Sequence, residues 1–145
     1  MKLKILSPKT KIQYESYYFF RWKLLRKPLN KEIGTEKDLL EDNSIHRMVI
    51  DNNDDIIAVG RLHHNNSNES QVRYFAVDEN FRRQGMGSYL MEDLENLAKK
   101  AKRKEIILNA RENAVNFYKS IGYKIIQKSY ILFDKIQHYE MKKVL

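Results

Sequence analysis

Short alternating runs of apolar and polar residues give way to helical spacing twice along this chain. Lys2 to Leu6 alternates and predicts a first strand. Over Lys9 to Lys27 the apolar residues Ile12, Tyr18, Phe19, Trp22 and Leu25 recur at threes and fours, which predicts a helix. Pro28 ends it, because proline disfavours helical backbone in the residue before it. Leu29 to Ser44 is polar and irregular, with a short helical turn expected over Glu36 to Glu41. Strands follow at His46 to Ile50, Ile56 to His63 and Gln71 to Val77, linked by the turn clusters 51–55 and 64–70. A strongly amphipathic helix runs from Gly85 or Met86 to Lys102, with Tyr89, Leu90, Leu94, Leu97 and Ala98 on its apolar side. Glu105 to Asn109 predicts a strand, and its connection through that helix implies parallel pairing with the strand before. Ala114 to Ile121 predicts a short helix capped by Gly122, and Tyr123 to Gln127 and Tyr139 to Val144 close the chain as strands. Antiparallel hairpins followed by a β-α-β-α-β unit predict an α/β fold. Its mixed central sheet has about six to seven strands, with helices on both faces.

At 145 residues the chain suits one domain, spanning 1–145, with one sizeable core. The formal charge is +8, which suits a polyanionic partner or simply keeps the protein in solution. There is no cysteine, so a disulfide framework and a thiolate nucleophile are excluded, and four histidines make a structural zinc site improbable. The opening apolar run is too short for a signal peptide and no segment approaches a membrane span, so the expected location is the cytoplasm.

The stretch from Val72 to Met91 carries the chemistry. A strand runs directly into a basic turn with two glycines, and the turn opens a long helix. Gly85 and Gly87 remove side chains where an anion must approach backbone, and Arg82 and Arg83 can add charge-assisted hydrogen bonds to phosphate oxygens. The backbone of Gln84, Met86 and Ser88 completes the turn at the positive end of the helix dipole. The dinucleotide fingerprint needs a third glycine where Leu90 stands, and the P-loop needs a lysine and a hydroxyl that are absent.

Arg82 to Gly87 matches the Gln/Arg-x-x-Gly-x-Gly/Ala signature of the GCN5-related N-acetyltransferases. Glu112 to Tyr123 is similar to that family's second hallmark, Asn-x-x-x-x-Tyr-x-x-x-Gly-Phe/Tyr. Weaker matches at Arg26 to Leu29, His46, Val59 to Leu62 and Gln137 to Met141 resemble the ElaA-like branch of small single-domain members. Gln137 replaces that branch's proline. The resemblance implies the acyl-CoA N-acyltransferase fold, acetyl-CoA as donor and a primary amine of a small molecule, peptide or protein as acceptor. It also implies no membrane, weighs against nucleic acid as a partner, and allows a homodimer.

Carried over residue by residue, the resemblance puts Phe75 and Val77 along the pantetheine arm, with the Val77 N–H polarising the thioester carbonyl. Tyr118 falls at the position of the general acid that protonates the leaving thiolate. Asn109 and Asn113 are candidates for pantetheine contacts, or they serve as a strand end and a helix cap. No acidic residue lies along Gln71 to Val77, so the base is sought elsewhere. His46, His63 and Asp78 are the candidates nearest the predicted centre, and His46, opening a central strand, is the one carried forward, against the alternative of a surface histidine. The pair His63–His64 is expected at the surface, and His138 enters only through the branch resemblance. Acceptor contacts are expected from Leu29 to Ser44 and from Tyr17, Arg21 and Trp22. The acidic run Glu32, Glu36, Asp38, Glu41 and Asp42 either attracts a cationic amine or is a solvated loop. A competing function is a non-catalytic module that senses CoA or contacts nucleic acid, motivated by the charge and the missing base.

Overall fold

The structure, a computed structural model, describes residues 2–145. Seven strands form one sheet: β1 (Lys4–Leu6), β2 (Ile45–Ile50), β3 (Ile56–His64), β4 (Glu69–Val77), β5 (Glu105–Arg111), β6 (Lys124–Leu132) and β7 (Ile136–Val144). Their order is β1-β2-β3-β4-β5-β7-β6. Among the described residues only β4 and β5 pair in parallel, as their crossover through a helix requires. Helix α1 (Lys11–Leu25) covers one face, and α2 (Met86–Lys100) and α3 (Val115–Ser120) cover the other.

The two faces differ in chemistry. On the α2 side Leu90, Leu94 and Ala98 pack against Val49, Leu62, Ile106 and Met141, an apolar core of ordinary kind. On the α1 side the apolar cluster is small, around Tyr17, Met48, Val59 and Ala76, and it borders buried Arg21, Arg61 and His46. This corrects the expected stripe on α1. Tyr17 and Arg21 are the buried pair, whereas Ile12 and Phe19 are 74% and 54% exposed, because the helix sits on a polar patch of sheet. The start of α1 carries a capping box that the spacing alone did not reveal: Thr10 Oγ1 accepts from the Gln13 N–H, and Gln13 Oε1 accepts from the Thr10 N–H.

Other boundaries move for local reasons. The helical turn expected over Glu36 to Glu41 lies instead at Glu41–Asn43. The final strands lengthen into the hairpin of β6 and β7, whose outer strand β6 is largely exposed and so lacks a clear apolar alternation. No helix among the described residues is long and apolar enough to cross a membrane.

Candidate active site

The central feature is a gap between two parallel neighbours. The ladder of β4 and β5 runs from Glu69↔Glu105 to Val72↔Leu108 and stops there, five residues before β4 ends. Opposite, the register of β3 and β4 slips between Val59 and Arg61, and Tyr74 takes a left-handed φ of 53°. This bulge inserts one residue into β4. Arg73 and Tyr74 therefore both face the α1 side, and Phe75 turns toward α3. The expected simple alternation of Gln71 to Val77 is thus broken: Val72 belongs to the α2-side core and Ala76 to the α1-side cluster.

A cleft enclosing about 230 Å³ opens where the strands part. Val72 to Phe75, Leu108 to Arg111, Ala114 and Tyr118 line it, with Arg26, Tyr130 and His138 on the α1 side. Asp78 N–H donates to the Ile57 carbonyl at 2.8 Å. Successive N–H groups of a strand point to opposite edges, so the Val77 N–H points away from β3, toward the open edge. The Val77 carbonyl faces the same way and accepts from Arg82 Nε at 3.3 Å.

The anion turn follows at once. Gly85 is the N-cap of α2 with φ +81°, and a Cβ there would meet nothing within 4 Å, so its absence serves backbone conformation. At Gly87 a Cβ would lie 2.8 Å from Phe117 Cζ, so this glycine lets α2 start against α3. The N–H groups of Met86, Gly87 and Ser88 have no acceptor among the described residues, and Gly85 supplies no side-chain cap. Arg82, Arg83, Gln84 and Ser88 are exposed beside them. A polyanion fits this cradle of free donors and cationic side chains.

Tyr118 comes up from α3 beneath Phe75, with ring centroids 6.2 Å apart, and also packs on Phe117 and Tyr123. Its hydroxyl has no hydrogen-bond partner among the described residues, and burial pushes its pKa well above the usual phenol value. The group is therefore protonated throughout the physiological range. Asn109 lines the cleft, whereas Asn113 sits exposed in the turn before α3 and does not.

His46 is neither at the surface nor at the cleft. It is 5% exposed, its Nε2 donates to the Glu41 carbonyl at 2.8 Å, and its Nδ1 lies 2.9 Å from the Tyr17 hydroxyl. Burial lowers its pKa, and the charges of Arg21 and Arg61 act in the same direction. Both ring nitrogens are engaged, so His46 has no open lone pair to offer a substrate. His63 is also buried, with Nδ1 3.2 Å from Arg61 Nη2. Of the acidic run, Glu36, Asp38 and Glu41 fold inward, whereas Glu32 and Asp42 remain exposed as a solvated loop would leave them. Asp38 takes Arg61 at 2.6 and 3.0 Å and Arg73 at 2.8 Å, and Glu41 takes Arg21 and Arg61 at 2.9 and 2.8 Å. The charges of Asp38 and Glu41 are thus already answered by arginines.

His138 is the histidine that lines the cleft. It is buried on β7, stacks on Tyr130 at 4.5 Å, and donates from Nδ1 to the Ile136 carbonyl at 3.0 Å. Nε2 has no hydrogen-bond partner among the described residues. Burial lowers its pKa, helped by the charges of Arg111, Arg26 and Arg73. The closing-strand similarity was the one sequence signal that could have found it.

The family profile described as acetyltransferase (GNAT) domain matches residues 25–145. YjcF of Bacillus subtilis (strain 168), described as an uncharacterised N-acetyltransferase, is 29% identical over 141 residues, covering 97% of this chain and 99% of its own. Escherichia coli ElaA superposes with a TM-score of 0.79 at 19% identity, covering 98% of each chain. A GNAT family acetyltransferase of Elizabethkingia anophelis with acetyl-CoA bound superposes with a TM-score of 0.76 at 15% identity, covering 99% of this chain and 98% of its own. At these identities the two structural likenesses are likenesses of fold.

Proposed function

The chain belongs to the GNAT acetyltransferases, whose donor is acetyl-CoA, and from that premise we propose that it acetylates a primary amine by direct attack, with Tyr118 as general acid. Acetyl-CoA supplies the acetyl group and departs as the free thiol. The observation that carries the reading is the parting of β4 from β5 after Val72↔Leu108, which leaves a strand edge open beside a protonated tyrosine.

The free N–H groups of Met86, Gly87 and Ser88, with Arg82 and Arg83, hold the pyrophosphate end. The open edge of β4 around Phe75 and Val77 pairs with the pantetheine arm. The Val77 N–H donates to the thioester oxygen and steadies the charge that develops there; a donor so aimed contributes about 3–4 kcal/mol to such reactions. The amine nitrogen forms a bond to the acetyl carbon as the carbon–sulfur bond breaks. Tyr118 gives its proton to the departing sulfur and regains one from solvent, balancing the proton that the amine releases. The ammonium proton leaves through His138 Nε2, directly or by one water, and passes to solvent. His138 takes this role in place of His46 because its Nε2 is open at the cleft.

Tyr118→Phe tests the assignment, since it removes one oxygen and keeps the ring packing. Turnover of acetyl-CoA should fall about 10²- to 10⁴-fold, while calorimetric affinity for acetyl-CoA stays within about twofold of the parent. Equal turnover in the variant would refute the role of Tyr118.

A further inference from the structure

On the α1 side of the gap the cleft is cationic and unbalanced. Arg26 and Arg111 reach it from the end of α1 and the end of β5. Arg26 Nη1 and Arg111 Nη2 donate to the same atom, the Leu25 carbonyl oxygen, at 3.1 and 3.0 Å. Arg26 Nε donates to the Thr35 carbonyl at 2.9 Å. Among the described residues neither guanidinium has a carboxylate in reach, and no aspartate or glutamate lines the cleft. Asp38, which pairs with Arg73 of the cleft lining, is already shared between Arg61 and Arg73.

Two guanidinium groups drawn to one neutral oxygen in a half-buried cleft repel each other. Burial and the neighbouring arginine charges lower the pKa of both. Structural arginines elsewhere in this chain show the contrast. Fully buried Arg21 and Arg61 each have a carboxylate at 2.9 Å or less. Arg26 and Arg111 instead keep unused fork nitrogens, and a planar fork matches a carboxylate or a phosphate. This cluster lies on the α1 side, away from the phosphate turn that begins α2.

We infer that the acceptor is a primary amine that also carries an anionic group, a carboxylate or a phosphate, held by Arg26 and Arg111 while its amine meets the open edge of β4. The inference rests on the acetyl-transfer reading and concerns the acceptor half of that site. The anionic group takes no part in bond making. It positions the nitrogen, which gains the acetyl group as its proton leaves through His138 and the Tyr118 proton goes to sulfur. A second ammonium on the acceptor would meet the two guanidiniums, so diamines and polycations are disfavoured.

Matched probes test this. With acetyl-CoA, thiol release is compared for 4-aminobutyrate against butylamine, for phosphoethanolamine against ethanolamine, and for putrescine as the dication. Binding of the same amines to the CoA-loaded protein is measured by calorimetry. At least one anionic member should exceed its matched amine about 10- to 100-fold in kcat/KM or affinity, the range that one charge-assisted contact supplies. The better of the two pairs tells carboxylate from phosphate. Arg111→Gln should erase that preference, read as the ratio within each matched pair, and Arg111→Lys should restore only part of it. The melting temperature of Arg111→Gln should change little, since the loss of one hydrogen bond to the Leu25 carbonyl is offset by relief of the repulsion from Arg26. Equal constants within both pairs, or putrescine as the best acceptor, overturn the inference. So does an Arg111-dependent preference for succinyl-CoA with butylamine, which would put the anion on the donor. If no amine releases thiol, acetyl transfer itself fails, and the binding arm still decides whether the cleft selects an anion.

Discussion

A histidine can take a proton only through a nitrogen that nothing else holds, and this separates His138 from His46. His46 spends Nε2 on the Glu41 carbonyl and Nδ1 on Tyr17, whereas His138 spends only Nδ1, on Ile136. Groups facing His138 come from four elements: Arg26 at the end of α1, Arg73 on β4, Arg111 on β5 and Tyr130 on β6. Glu140, two residues along β7, is occupied by Gln127. Burial and the three arginines keep the ring neutral at pH 7 by moving its pKa below the ordinary value near 6.5. The sign follows directly. A base with a lowered pKa stays active as pH falls to that ordinary value and is lost only below it. The acid limb of kcat/KM for the free enzyme should therefore lie below pH ~6.5. In His138→Gln that limb should vanish, with turnover down about 10²-fold or more. A limb unchanged in the variant would transfer the role to another group. His46→Gln should leave the limb in place and lower stability instead, because it strands a buried tyrosine contact.

At the scale of elements, the start of α2 makes two separate demands, one at each glycine. Gly85→Ala forces a side chain into a left-handed backbone with free space around it, so it should cost about 1–2 kcal/mol of stability. Gly87→Ala meets no such backbone penalty but drives Phe117 toward Phe75 and Tyr118, beside the proposed path of the pantetheine arm. Acetyl-CoA affinity should therefore fall about tenfold in Gly87→Ala, with little loss in melting temperature, and calorimetry beside thermal unfolding distinguishes the two variants. This helix was legible in the sequence because its apolar stripe is long and its glycines follow a strand. The connection from β4 through α2 to β5 was legible for the same reason, whereas Tyr118 on α3 was singled out only by the family resemblance of Glu112 to Tyr123. The bulge was not. An extra residue at Tyr74 leaves the burial of β4 alternating while it moves residues to the other face, and nothing in Val-Arg-Tyr-Phe-Ala-Val marks the left-handed turn. The α1 stripe failed because its partner surface holds charges, and an arginine buried by a carboxylate reads as exposed in any apolar count.

Across the whole molecule the sheet divides two unlike halves, and their stabilities should respond differently to acid. The α2 side is held mainly by apolar burial, which pH does not touch, and its carboxylate contacts, Asp93 with Arg47 and Glu95 with Lys143, are fewer than those opposite. The α1 side is held by carboxylates: Glu41 ties Arg21 to Arg61, and Asp38 ties Arg61 to Arg73 across the segment after α1. Burial works to raise the Asp38 pKa, but the hydrogen bonds from Arg61 and the Leu40 N–H, with the charges of Arg61 and Arg73, hold it well below the carboxylate range. A carboxyl lowered in the folded state contributes fully above its unfolded value, near pH 4, and loses that contribution as pH falls toward its folded value. Acid should therefore loosen the α1 half first. The chain supplies its own probe, since its single tryptophan, Trp22, lies on α1 and donates to the Lys31 carbonyl at 2.9 Å. Below pH ~4 the fluorescence change of Trp22 should precede the loss of far-ultraviolet dichroism. Asp38→Asn should reproduce the loosening at neutral pH. It should cost about 3 kcal/mol in urea unfolding, the low end for breaking a buried pair, because Arg61 keeps Glu41. It should also flatten the acid dependence of the Trp22 signal. Coincident transitions in the parent, with no shift in the variant, would mean that the two halves unfold as one unit and that the arginine–carboxylate clamp is not what holds the acceptor side in place.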